Sequence, residues 1–392
     1  MAQAATTLPH ITFRDAAEAR VVPWYLWCAV AAVTCAMVGI HWDISWHRTI
    51  GRDSFLTPAH VMVYLCGVLA GISCGYLILA TTFQTNHPLR DSSVRMWGFR
   101  GPLGAFIASW GGVAMLTSAP FDDWWHNAYG LDVRIISPPH TVLALGMFGV
   151  MLGTVLLVLG RMNRAEGVER RRLEWLYLYV AGMTVVNVFT FIMETTPRVL
   201  QHSAVFYRNI CIAVPFFLVS LARSSGRRWA CTEISAVYMA FWLMMNWILP
   251  LFPAEPKLGP VYYQVTHFVP SNFPIWLIVP AFLLDLLFAW KPHWPNWKTA
   301  LTAGPLILAG LVAAQWPFSM FLNSKAAWNW FFYANNFDYN TRPASYTLRN
   351  LYYVAEKTPQ QFWIGMAIAL AAAILTSWLG LQRGEFLKRV KR

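Results

Sequence analysis

The sequence predicts an all-α, polytopic integral membrane protein, and three observations carry that prediction. Of 392 residues, 57% are hydrophobic and only 12% charged, where a soluble domain carries about 25% charged residues. Ten apolar stretches each approach the ~20 residues needed to cross a bilayer as a helix. Several of their ends carry the Trp and Tyr that favour the lipid headgroup level, drawn from 21 Trp and 15 Tyr. Backbone polar groups in hydrocarbon must be satisfied internally, which runs of this length achieve as helices rather than as barrel strands.

The first span begins near Val22, after a mixed-charge segment (residues 1–21, with Arg14, Asp15, Glu18 and Arg20) that has no small-residue cleavage signature and is expected to remain. The second and fourth begin near His60 and His140, each just after a proline suited to a first helical turn. The third, from Leu103, follows the basic connection Gln84 to Pro102, and the fifth, from Leu173, follows Arg161 to Arg172. The sixth begins near Val205, the seventh near Ile234, the eighth near Pro274 after a proline-rich stretch, and the ninth near Thr299. The tenth begins near Gln361, behind an aromatic segment, residues 323–360, that includes Trp328, Trp330, Phe331, Phe332, Tyr333, Tyr346, Tyr352 and Tyr353. That segment is read as a lid or as an interface with lipid or a partner subunit.

Orientation follows from the distribution of Lys and Arg. One alternate set of connections, which includes both termini, holds 20 of the 30 basic residues. Basic residues concentrate in cytoplasmic loops, so both termini are assigned to the cytoplasm and the plasma membrane of a bacterium is the expected location. The net charge of +12 then reflects topology and contact with anionic lipid, and no nucleic-acid partner is expected. Six cysteines without a Cys-x-x-Cys pair give neither a disulfide framework nor a thiolate metal site.

The connection after the first span reads HWDISWHRTIGRDSFLTPAH, and the one after the third reads FDDWWHNAYGLDVRIISPPH. Placing Asp43 on Asp122 also places Trp46 on Trp125, His47 on His126, Gly51 on Gly130 and Asp53 on Asp132. One inserted residue then brings Pro58 and His60 onto Pro138 and His140. This predicts a parallel duplication of a two-helix unit, residues 22–82 and 103–160, followed by six further spans within 161–392.

Asp43 and His47, four residues apart, share one face at a helix end. A short antiparallel hairpin returns His60 to the same level, and Asp122, His126 and His140 repeat the arrangement. Each unit thus offers one carboxylate and two imidazoles, a ligand set that suits copper, non-heme iron or zinc. Charges beside hydrocarbon are costly without a counter-ion, and a metal supplies one.

Asp-x3-His followed by His after twelve residues resembles the C subunit of the particulate methane and ammonia monooxygenases, over about residues 22–160. The resemblance assigns Asp43, His47 and His60 to the family's Asp, His, His set. It assigns Asp122, His126 and His140 to its Asn, His, His set, with a carboxylate here where the methane enzymes place an amide. It implies bound copper, dioxygen activation, a small apolar substrate such as methane, a short alkane or ammonia, partner membrane subunits and an electron donor. The six later spans extend beyond the family's shorter subunit, and nothing resembles the cupredoxin domains of its B subunit. The ligands alone also fit a non-heme iron oxygenase, or a metal-handling or transport protein without redox chemistry.

Asp123 and Glu194 are candidates for groups that support the ligands, Glu194 having the alternative of a helix-end pair with Arg198. Asp53 and Asp132 are read as loop-ordering or supporting residues rather than ligands, with Arg48 placed to pair with either. His202 and His267 are read as ordinary, and Asp285, near the end of the eighth span, as snorkelling to water.

Overall fold

The computed structural model describes residues 22–130, 137–345 and 354–391. The N-terminal segment, Asp132, Tyr346, Tyr352 and Tyr353 lie outside them. Among the described residues the chain forms ten α-helices: α1 Trp24–Thr49, α2 Pro58–Phe83, α3 Leu103–Tyr129, α4 Pro138–Met162, α5 Gly167–Ile192, α6 Ala204–Ser225, α7 Ala230–Ile248, α8 Ile278–Trp290, α9 Asn296–Leu322 and α10 Pro359–Leu387. All but α8 are long and apolar enough to cross a membrane. A small hairpin, β1 Val94–Met96 against β2 Phe99–Gly101, turns through Trp97 and Gly98, both at positive φ.

Proline fixes where the two ligand-bearing hairpins re-enter. Pro58 and Pro138 occupy the first turns of α2 and α4, where a missing N–H costs nothing, and Ser137 caps α4 by accepting from His140 N. α1 packs on α2 and α3 on α4, and contact between α2 and α3 sets the two hairpins side by side. Small residues bring α3 and α4 close: a Cβ on Gly111 would stand 2.5 Å from Val150 N and 2.6 Å from Gly146 O. Backbone at that distance cannot swing aside as a side chain can, so this crossing depends on glycine. The later helices pair as α6 with α10, α9 with α10, α8 with α9 and α5 with α7.

The eighth span departs from expectation. Its helix has 13 residues, about 20 Å at 1.5 Å per residue, short of a ~30 Å hydrocarbon core. Upstream, residues 265–277 are irregular and mostly buried. Pro270 and Pro274 lack the N–H groups a helix needs there, and irregular backbone at this depth persists only where protein satisfies it. Three helices do so. Ser45 Oγ donates to Val269 O at 2.6 Å while Thr49 Oγ1 accepts from Val269 N at 2.8 Å, and Arg48 Nη1 donates to Pro270 O at 2.9 Å, all from α1. From α7, Trp242 Nε1 donates to Asn272 O and Tyr238 Oη accepts from Ile275 N; from α9, Gln315 Oε1 accepts from Trp276 N.

Asp285 also differs from the sequence reading. It does not snorkel: it is 1% exposed and accepts hydrogen bonds from Cys231 N, Thr232 N and Thr232 Oγ1. A carboxylate from α8 thereby caps the N-terminus of α7, where unpaired N–H groups and the helix dipole favour negative charge.

Candidate metal centre

On α1, positions 41, 45 and 49 and positions 43 and 47 lie on opposite sides, because two residues turn a helix by about 200°. The first set faces the irregular segment and α7. The second carries Asp43 and His47 to the outer face at the helix end, towards α2. The loop from Ile50 to Thr57 then folds back on itself. Trp46 Nε1 donates to Arg52 O at 2.9 Å, Ser54 N to Thr57 Oγ1 at 2.8 Å, and Tyr64 Oη to Phe55 O at 2.9 Å. Gly51 turns the chain at φ +87°, with its Cα so close to the Tyr339 hydroxyl that a Cβ would overlap it.

This loop carries Asp53 into the site. Asp43, His47, Asp53 and His60 each present a ligand atom within 4.8 Å of the others. His60 Nε2 lies 3.1 Å from Asp43 Oδ1 and 3.2 Å from Asp53 Oδ2. His47 Nε2 lies 3.8 Å from Asp43 Oδ2 and 3.4 Å from Asp53 Oδ2. Asp53 was read as a loop-ordering or supporting residue, and the structure brings its carboxylate within 4.8 Å of the candidate ligand atoms of Asp43, His47 and His60. The match of Asp53 with Asp132 in sequence was the available signal that this loop carboxylate keeps a fixed offset from the histidines. Burial raises the Asp53 carboxyl, but hydrogen bonds and charge from His47 and His60 outweigh it and hold the group well below the usual carboxylate range.

In the second unit Asp122, His126 and His140 also converge. His126 Nε2 is 3.4 Å from Asp122 Oδ2, and His140 Nε2 is 3.5 Å from Asp122 Oδ1. Gly130, four residues after His126, has φ +89°, beside +87° at Gly51 four residues after His47. The two segments thus share a positive-φ glycine four residues after a histidine. Residues 131–136, with Asp132, lie outside the described residues. His60 and Asp53 lie within electrostatic reach of Asp122.

The donor set fits a metal. Asp43 Oδ1 and Asp122 Oδ1 are buried and receive no well-aligned hydrogen bond, although an imidazole Nε2 stands near each. His60 Nδ1 is 3.0 Å from Ser54 O and His126 Nδ1 is 3.2 Å from Gly130 O. A backbone carbonyl accepts only from N–H, so both rings carry a proton on Nδ1 and turn Nε2 to the carboxylates. This is the arrangement by which outer hydrogen bonds orient metal-binding histidines. The hydrogen bond from His60 to Asp53 uses the Nε2 proton, which a metal ion would displace. Metal binding requires neutral imidazoles, and with them the two ionised carboxylates would leave the first site negative, a charge that a divalent cation would balance. With His47 exposed and His60 half-buried, the site is open on one side.

The remaining candidates fall elsewhere. Asp123 is exposed, its carboxylate 3.3 Å from Asn127 Nδ2. Glu194 is exposed on a 3-10 turn and does not pair with Arg198, whose guanidinium donates to Ala334 O. Arg48 pairs with Asp338 at 2.7 Å rather than with Asp53. His202 is buried, stacked on Trp316 and 2.7 Å from Ser319 Oγ, and His267 is exposed beside Thr266 Oγ1. In the aromatic segment, Phe331 and Phe332 pack with Phe273, Leu322 and Ala327, while Asp338 and Tyr339 reach the back of the first-site loop.

No family profile, curated protein or solved structure matches the chain.

Proposed function

We propose that this integral membrane protein is the metal-binding component of a membrane-bound monooxygenase, acting on a small apolar substrate with dioxygen and electrons from a partner donor. The observation that carries the reading is the convergence of Asp43, His47, Asp53 and His60, repeated in type by Asp122, His126 and His140. The resemblance to the C subunit of the methane and ammonia enzymes supplies the reaction class and favours copper. The distribution of basic residues favours the extracytoplasmic side for these sites, and the same reading expects a bacterial plasma membrane with further membrane subunits as neighbours.

Asp43, His47, Asp53 and His60 would hold the ion at the first site, and Asp122, His126 and His140 at the second. A bound copper or iron supplies one-electron chemistry and Lewis acidity towards dioxygen. The chain contributes orientation, through Ser54 O on His60 and Gly130 O on His126, and charge balance through the carboxylates. The exposed side of His47 leaves room for an exogenous ligand. Exposed apolar residues on the helices that carry both sites, such as Val61, Leu65 and Leu145, would face a small hydrophobic molecule arriving from the bilayer.

A second reading has its own support. Asp53 adds a second carboxylate to the first site, and hard oxygen donors beside imidazole suit iron better than reduced copper. A non-heme iron oxygenase on the same ligands is therefore the principal alternative, and metal handling without redox chemistry the other. Membranes that contain the chain and its partners, supplied with reductant, ¹⁸O₂ and propane or ammonia, are expected to incorporate one labelled atom into product and one into water. Reconstitution of metal-stripped membranes with copper or with iron identifies the metal. Metal binding without labelled product under either ion would leave the handling role and overturn the oxygenase one.

A further inference from the structure

Away from the metal ligands, four separate segments meet around a second polar site. Arg48 at the end of α1, Arg198 on the 3-10 turn Arg198–Leu200, Ser271 in the irregular stretch and Asn336 beyond α9 line a partly open cavity enclosing about 310 Å³ of empty space, mouth included. The charges do not balance. Asp338 answers Arg48 at 2.7 Å, whereas the hydrogen bond described for Arg198 goes to a neutral carbonyl, Ala334 O. No carboxylate among the described residues forms an ion pair with Arg198. Burial first, and then the charge of Arg48, push the Arg198 guanidinium down from its ordinary value.

The neutral groups are also incomplete. Ser271 is 4% exposed, and its Oγ has no hydrogen-bond partner. Asn336 Nδ2 is buried and equally unpartnered. Water could satisfy a hydroxyl and an amide, but it could not neutralise the half-buried Arg198 guanidinium. Two planar guanidinium forks, a hydroxyl and an amide N–H₂ all offer hydrogens, which suits an oxyanion with several acceptor oxygens and repels a cation. The cavity lies where α1, a helix long and apolar enough to cross a membrane, ends.

We propose that this cavity binds a phosphate oxyanion, either free phosphate or the phosphate of a lipid headgroup, clamped between Arg48 and Arg198. Because Arg48 follows His47 directly, the bound anion would tie the end of α1 to the irregular segment and to the chain after α9. The site is independent of the metal reading.

The test uses the detergent-purified full chain, stripped of metal with chelator and held in a phosphate-free buffer. Sodium phosphate is expected to raise the unfolding temperature saturably against sodium chloride of equal ionic strength, or native mass spectrometry is expected to find a phospholipid bound one to one. The first result identifies free phosphate, and the second a headgroup. Arg198→Gln should weaken the phosphate response at least tenfold or release the lipid, and Ser271→Ala should weaken it several-fold. His47→Ala should leave it unchanged, which separates this site from the metal. If Arg198→Gln does not fold, Ser271→Ala carries the comparison. Wild-type protein with neither a saturable phosphate response nor a bound phospholipid would overturn the proposal, as would folded variants at Arg198 and Ser271 that behave like wild type.

Discussion

His60→Ala is expected to weaken metal binding at the first site by at least about 100-fold, since loss of an outer hydrogen-bond partner alone costs about 10- to 100-fold and the proposed site uses His60 as a direct ligand. Its Nε2 stands closer to Asp43 and Asp53 than that of His47 does, so it is the group both carboxylates share. The fold should survive, because Pro58 and the apolar face of α2, with Val63, Cys66 and Ala70 buried, form the helix without it. A competition titration with a chromophoric chelator reads the affinity, and circular dichroism confirms the helices. An unchanged affinity in a folded variant would remove His60 from the ligand set.

Gly111→Leu carries the largest expected loss of stability. The new side chain would meet Val150 N and Gly146 O, backbone atoms on α4 that cannot move without parting the helices. Overpacking of this kind costs about 3 kcal/mol. α3 carries Asp122 and His126 and α4 carries His140, so the same change should loosen the second site while α1 and α2 keep the first. Thermal unfolding in detergent and metal titration together test this. A variant as stable as wild type, with both sites equally affected, would mean that the α3–α4 crossing does not set the second site.

Much of the architecture was legible because hydrocarbon imposes one rule on every span. Length and apolarity found the helices, and Pro58 and Pro138 marked where two of them begin. Asp43 with His47, and Asp122 with His126, were legible from helical spacing, which places residues four apart on one face. What remained hidden depends on contacts between distant segments. The short eighth helix follows from Ser45, Thr49, Tyr238, Trp242 and Gln315 satisfying residues 269–276, and no local pattern in that stretch announces such partners. Asp285 reads as a stray charge until the N-terminus of α7 arrives beside it. Asp53 sits in a loop, where sequence spacing sets no direction for the side chain. Arg48 finds its carboxylate 290 residues away, at Asp338.

X-ray absorption on the purified protein, loaded with copper or iron and then freed of excess ion, tests the metal centre most directly. The account predicts tightly held metal with a first shell of nitrogen and oxygen only, outer scattering from imidazole, and loss of that signature when His60 and His140 are both replaced by alanine. A shell containing sulfur, or a spectrum unchanged in the double variant, would place the metal elsewhere, and protein that retains neither ion would contradict the centre itself.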